Sequence, residues 1–309
     1  MTLRKQFKIK MLVSGYNRVS SNCARKLHQL KQWGFLQMGT FIQAVDGTKI
    51  YVEDIGSGQP VVMLHGWPAN NNMFEYQKNR LLEEGYRYIG VDYRGYGKSD
   101  APATGYDYTT MASDINEVIQ QLKLTNVTLL GFSMGGGIAL KYLLNHGESN
   151  VSKLILAGAA APVFTQRDGY PYGMKKEEVD ALIEDTKQDR PSMLKGFGEI
   201  FFAKEHPEPL QQWFHNLSVD ASSHGTIQSA IALRDEDLRD GLPKISVDTL
   251  IMHGKKDQVC PFEFAEVMHE NINGSRLEVF EESGHGMFLD EREKFTETLV
   301  AYLKSGQSV

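Results

Sequence analysis

Cysteine is scarce in this chain of 309 residues: Cys23 and Cys260 are the two present. One falls in an N-terminal leader and one in the body, so the body cannot staple itself with a disulfide, and a secreted disulfide scaffold is excluded. The usage fits a reducing interior, and a cytoplasmic location is expected. Long apolar runs are also missing. The best, from Leu154 to Ala161, falls well short of the ~18 residues that span a bilayer and suits a buried core instead. Proline is modest at 10 and glycine at 29, which excludes collagen and low-complexity chains. Cofactor signatures are wanting as well. No G-x-G-x-x-G lies between strand and helix, and neither H-E-x-x-H nor paired C-x-x-C occurs, so neither a nucleotide cofactor nor a metal is implied. Gly97-Lys98-Ser99 ends like a phosphate-binding loop, but Asp92 stands where that motif needs its first glycine.

Acidic residues are absent from residues 1–37, which carry eight Lys and Arg. Setting those eight aside leaves 25 Lys and Arg against 39 Asp and Glu, a net charge of −14. Such a body repels nucleic acid. The leader has the composition of a transit peptide, of a basic arm for RNA or a membrane surface, or of an upstream extension before a start at Met38. The last is adopted here, because organised periodicity begins just after Met38.

From residue 40 onward strand and helix patterns alternate. Phe41 to Val45 and Lys49 to Glu53 flank Asp46-Gly47, a hairpin signal in which both turn positions tolerate positive φ. Pro60 to Leu64, Tyr88 to Val91, Val127 to Leu130, Leu154 to Ala157, Thr249 to Met252 and Leu277 to Phe280 are short apolar runs, as expected of strands buried on both faces of a parallel sheet. Helical spacing marks Thr110 to Leu122, Gly136 to Leu144, Phe262 to Asn271 and Glu293 to Leu303. The pattern predicts a mostly parallel, doubly wound α/β sheet. Pro162 to Pro243 breaks it with helical pieces alone, such as Glu177 to Asp185 and Pro191 to Phe202. The expected organisation is therefore a basic extension over 1–39 outside the fold, a core formed by 40–161 with 244–309, and a helical cap over 162–243.

Gly131-Phe132-Ser133-Met134-Gly135 sits between a strand and a helix. In that context G-x-S-x-G is a turn that thrusts a serine hydroxyl out at the carboxyl end of a sheet, at a helix N-terminus that favours developing negative charge. A serine nucleophile needs a base, and the base an orienting acid. His285, in the small-residue loop after the strand ending at Phe280, suits the base. His146, His206, His215, His224, His253 and His269 fall within cap, helix or strand patterns. Asp257 follows the strand Thr249 to Met252 and suits the acid. Asp235, Asp237 and Asp240 read as a solvated cluster, and Asp248 lies at the wrong end of its strand. The backbone N–H groups of Met134 and Trp67 are the expected oxyanion donors. His65 reads as a brace of its loop and Cys260 as a buried structural thiol. Cap aromatics, among them Phe197, Phe201 and Phe214, could line an apolar pocket or simply hold the cap in place.

Together, His65-Gly66-Trp67-Pro68, Asp92 to Asp100, Gly131 to Gly136, His253-Gly254 with Asp257, and Gly284-His285 resemble the α/β-hydrolase family over residues 40–303. The likeness is greatest to the cofactor-free bacterial haloperoxidases, which are serine esterases able to perform perhydrolysis and in which a proline commonly follows the oxyanion residue, as Pro68 does here. The resemblance implies an α/β-hydrolase fold, no cofactor, and a small ester or acyl substrate attacked through an acyl-enzyme. A nucleic acid or membrane partner is not expected, and homo-oligomerisation stays open. Lactonase, C–C bond hydrolase and acyltransferase chemistry use the same residues, and a non-catalytic receptor can keep them. Serine at the elbow disfavours the dehalogenase and epoxide-hydrolase branches, which the family associates with aspartate there.

Overall fold

Strand residues 61 to 64 show how the core is divided. Val61 and Met63 pack into one apolar cluster, and Val62 and Leu64 into another, because successive side chains of a strand point to opposite faces. The same alternation runs through Leu129 and Leu130, Leu154 and Ile155, and Leu250 and Ile251. A sheet with apolar residues on both faces must be covered on both. The structure is a computed structural model and describes residues 39–305; the expectations for the basic leader lie outside the described residues.

Eight strands form one sheet: β1 (Thr40–Gln43), β2 (Lys49–Ile55), β3 (Pro60–Leu64), β4 (Arg87–Val91), β5 (Val127–Phe132), β6 (Val151–Ala157), β7 (Asp248–Gly254) and β8 (Arg276–Phe280). Their spatial order is β1-β2-β4-β3-β5-β6-β7-β8. β2 runs antiparallel to β1 and β4, and the remaining neighbours are parallel. This is the mostly parallel α/β sheet expected. Helices α1 (Glu75–Glu83), α2 (Tyr108–Gln121), α3 (Met134–His146), α4 (Lys176–Glu199), α5 (Glu208–Val219), α6 (Ser223–Asp235), α7 (Glu263–Asn271), α8 (Met287–Asp290) and α9 (Arg292–Lys304) complete the regular elements. One face of the sheet is covered by apolar residues of α2, α3 and α7, the other by those of α1, α8 and α9.

The first hairpin differs from its sequence reading. Gly47 takes positive φ at 88°, whereas Asp46 does not. The Gly47 amide donates to the Ala44 carbonyl and the Ala44 amide to the Thr48 carbonyl, which makes a longer turn closed by one left-handed glycine. Asp46 instead uses its carboxylate, accepting the Thr48 amide at 3.0 Å and pairing with Arg94 at 2.8 Å.

β6 and β7 are sheet neighbours, yet the chain between Ala157 and Asp248 contributes no strand to the sheet and carries α4, α5, α6 and a 3-10 turn, Arg239–Lys244. Within α4 the backbone breaks at Asp189 (φ −150°, ψ 77°). Pro191 cannot continue the preceding helix, and the Asp189 carboxylate restarts it by accepting the Ser192 amide at 3.2 Å.

Candidate active site

β5 ends at Phe132 and α3 begins at Met134, so Ser133 makes the turn between them. Its φ of 55° and ψ of −122° belong to a region that non-glycine residues avoid at a cost of ~1–3 kcal/mol. Neighbouring backbone holds it there. The Ser133 amide donates to the Ala157 carbonyl at 3.0 Å, and the Ser133 carbonyl accepts the amides of Gly136 and Ala160, both at 2.9 Å. A Cβ on Gly131 would come within 2.3 Å of the Gly135 oxygen, and one on Gly135 within 2.4 Å of the Leu64 oxygen. Both flanking glycines are therefore steric necessities of the turn. Ser133 occupies the N-cap of α3 without making a side-chain capping bond, which leaves its hydroxyl free at the positive end of the helix.

His285 stands in the loop between β8 and α8, and its Nδ1 donates to Asp257 Oδ2 at 2.7 Å. A carboxylate only accepts, so this bond places the ring proton on Nδ1 and leaves Nε2 as a bare acceptor. Nε2 is buried and has no partner among the described residues. Asp257 is fixed from its other oxygen, where Oδ1 accepts the amides of Val259 and Cys260, each at 2.8 Å. A second buried histidine, His253, donates Nε2–H to the Cys260 carbonyl at 2.8 Å and lies 3.4 Å from Asp257 Oδ2. Burial lowers its pKa, so it stays neutral and lends Asp257 a dipole, not a competing charge. Ser133 shares neighbours with the pair: the Phe132 ring lies 4.8 Å from the His285 ring, at a tilt of 44°. A Cβ on Gly158, just beyond β6, would lie 3.5 Å from His285 Nδ1.

The two expected amide donors flank this group. Met134 is the first residue of α3, where the amide has no acceptor within the helix. Trp67 follows β3, precedes Pro68 across a cis peptide bond, and is anchored by its indole, which donates to the Thr226 carbonyl of α6 at 2.9 Å. The ring also meets Phe197 of α4 edge-on at 5.2 Å. His65 is buried, with Nδ1 donating to the Gly66 carbonyl at 2.9 Å and Nε2 accepting the Tyr93 amide at 3.2 Å. Burial depresses its pKa to about 4. Both nitrogens are thus engaged in bracing the loop.

Residues 59–292 match the α/β hydrolase fold family. The chain belongs to that family. An esterase from Exiguobacterium antarcticum superimposes with a TM-score of 0.86 and is 98% identical over all of its own chain and 87% of this one. The AB hydrolase superfamily protein YisY of Bacillus subtilis is 52% identical over 268 residues, which are 87% of this chain and all of the relative. A non-heme chloroperoxidase, CPO-A1 of Kitasatospora aureofaciens, is 33% identical over 84% of this chain and 97% of its own.

Two features of this α/β hydrolase escaped the sequence reading. Cys260 is buried, as expected, but it belongs to the site: its amide holds Asp257, and its thiol lies near the Ser133 side chain. Burial pushes the thiol pKa well up, the Asp257 carboxylate adds to this, and the serine contact opposes it. Phe201, at the end of α4, sets its ring edge-on to His285 at 5.0 Å. On its other side it touches Phe202 and Phe214, which line a cavity of about 490 Å³ together with Leu194 and Phe197. Periodicity marked these aromatics as apolar, but a loop-to-loop contact across some eighty residues leaves no periodic trace.

Proposed function

We propose that the chain is a carboxylic ester hydrolase in which Ser133 is the nucleophile, His285 the general base and acid, and Asp257 the residue that orients and stabilises the imidazolium. The observation that carries this reading is the bare, buried Nε2 of a histidine whose Nδ1 is held by a carboxylate and whose ring packs on Phe132, next to a strained serine. Nε2 takes the Ser133 proton as Oγ attacks the ester carbonyl, and returns it to the departing alcohol, leaving an acyl-serine. Water activated by the same nitrogen then releases the acid. The Met134 and Trp67 amides stabilise the oxyanion of both tetrahedral intermediates; losing one such donor costs ~3 kcal/mol. The segment 162–243 acts as the cap, closing the site with Phe197 and Phe201. The esterase of nearly identical sequence supports the ester substrate.

Perhydrolysis is a second reading, supported by relatives named chloroperoxidase and by Pro68 after the oxyanion residue. Hydrogen peroxide in place of water would attack the acyl-serine, giving the peracid and free Ser133. Proline restricts the residue before it, which points to Pro68 as the group that sets the Trp67 carbonyl toward peroxide. Steady-state turnover of chromogenic acetate, butyrate and octanoate esters, with a serine-directed covalent inhibitor, tests the main reading. Loss of turnover on labelling supports it, and binding without turnover across the panel favours a receptor. Pro68→Leu should lower the ratio of peracid to acid formed, and an unchanged ratio removes the second reading.

A further inference from the structure

Two hydrogen bonds bracket His285, and both lead to one segment of the helical insertion. On one side the Gly286 amide donates to the Phe201 carbonyl at 2.9 Å. On the other the Gly284 amide donates to Asp290 Oδ2 at 2.8 Å, and that same oxygen accepts the Ala203 amide at 2.9 Å. Asp290 Oδ1 accepts the Lys204 amide at 3.3 Å and His206 Nε2 at 2.8 Å. The Lys204 ammonium donates to the Asp290 main-chain carbonyl at 2.8 Å. The Asp290 side chain is fully buried, at 0% exposure. A carboxylate taken out of water is tolerated only where donors replace the water. Here they come from two segments distant in sequence, the strap 201–206 and the loop that carries His285.

The start of the loop is fixed elsewhere, by Glu291, which accepts the Glu282 amide at 3.0 Å and the Ser283 hydroxyl at 2.6 Å, and by the Lys256 amide on the Ser283 carbonyl at 2.9 Å; the two glycines beside His285 meet the strap. Gly284 and Gly286 bear no side chains, and both lie hard against the strap. A Cβ on Gly284 would come within 2.8 Å of the Ala203 nitrogen, and one on Gly286 within 2.4 Å of the Phe202 ring. A base must keep its nitrogen within hydrogen-bond reach of the nucleophile, and a misplacement of about 1 Å can cost ~100-fold in rate. Lifting the strap would release the Gly286 amide directly, and would strip Asp290, which holds the Gly284 amide, of its other three donors.

We propose that Asp290 is a positioning residue for the catalytic base, tying the seating of the strap 201–206 to the alignment of His285. This rests on the Ser133–His285–Asp257 reading given above. In consequence the base is fully aligned only while the strap is seated on Asp290 and the Gly286 amide.

The test uses the full chain with Asp290→Asn, which keeps the size and loses the charge and one acceptor, and His206→Ala, which removes one of the four donors to the carboxylate. Turnover of a chromogenic acetate ester is measured per folded molecule, well below the unfolding midpoint, together with the low-field proton resonance of the His285–Asp257 hydrogen bond. Asp290→Asn should lower kcat by about 10- to 100-fold with KM changed less than threefold, and should shift or broaden the resonance. His206→Ala should do the same more weakly, and decides the matter if Asp290→Asn does not fold. A purely structural role would lower the unfolding midpoint while leaving kcat per folded molecule and the resonance alone, and that result overturns the proposal. Ser133→Ala keeps the two ideas apart. Its loss of turnover beside unaffected Asp290 and His206 variants sinks the positioning role only, whereas its retention of turnover sinks the triad.

Discussion

The sheet and the helical insertion hold the site by different means. Ser133 and Asp257 are positioned by the ends of β5 and β7 and by backbone amides close to them in sequence or across the sheet. The loops bearing Trp67 and His285 also leave the sheet, but they lean on the insertion through single contacts: an indole bond to Thr226, a carbonyl of Phe201, a shared carboxylate at Asp290. The sheet thus sets which groups meet, and the insertion sets how closely two of them are held. Damage to the first should abolish chemistry, and damage to the second should slow it.

Ser133→Ala marks the upper end of that scale. It should lower turnover by at least a thousandfold, about 4 kcal/mol of transition-state stabilisation, and should block labelling by the serine-directed inhibitor. Asp257→Asn should cost nearly as much, because an amide that donates to Nδ1 would force the proton onto Nε2, the wrong tautomer for a base. Equal turnover in either variant would show that the sheet-held residues are not the reacting ones.

Next comes the pH dependence of the sheet's own histidines. His65 is held neutral in the fold, with its pKa depressed by burial to about 4 against 6.5 when free. As pH falls the unfolded chain takes up this proton first, so the contribution is whole above pH 6.5, is lost progressively down to pH 4, and levels off below. The gap corresponds to on the order of 3 kcal/mol. His253, depressed in the same direction by burial, adds to it. Urea midpoints at pH 7.5, 5.5 and 4 should fall across that window, and a flat series would contradict the buried neutral imidazoles.

The same contrast governs what could be read from sequence. The strands were legible because β3 and β5 are buried along their length and so, Thr128 aside, carry no polar side chain. The placement of Ser133, Asp257 and His285 was legible because each follows a strand at the sheet's carboxyl end. α1 was not, since Gln77 and Leu81 are its only buried residues and no apolar stripe results. The break at Asp189 was half visible in Pro191. Asp290 left no signal at all: an acid inside Phe288-Leu289-Asp290 says nothing of the amides of Ala203 and Lys204, far off in the chain, that meet it. Local chemistry writes itself into local sequence, whereas a contact between two loops does not.

The smallest effect should come from the lightest tether. Trp67→Phe keeps an aromatic ring against Phe197 but deletes the indole donor to Thr226. That carbonyl lies in α6, so the helix still uses it, and the cost to folding should be no more than the ~1 kcal/mol of one hydrogen bond. If the Trp67 amide is the oxyanion donor proposed above, the cost to catalysis should be larger than that bond alone suggests, because the freed ring lets this amide drift, and donor placement matters most in the transition state. A fall in kcat of about tenfold, or ~1.4 kcal/mol, with KM little changed, is the expected result for a chromogenic acetate ester. Turnover within twofold of the parent would mean that the β3 loop holds its amide without help from the insertion, and would confine the insertion's influence to the histidine side.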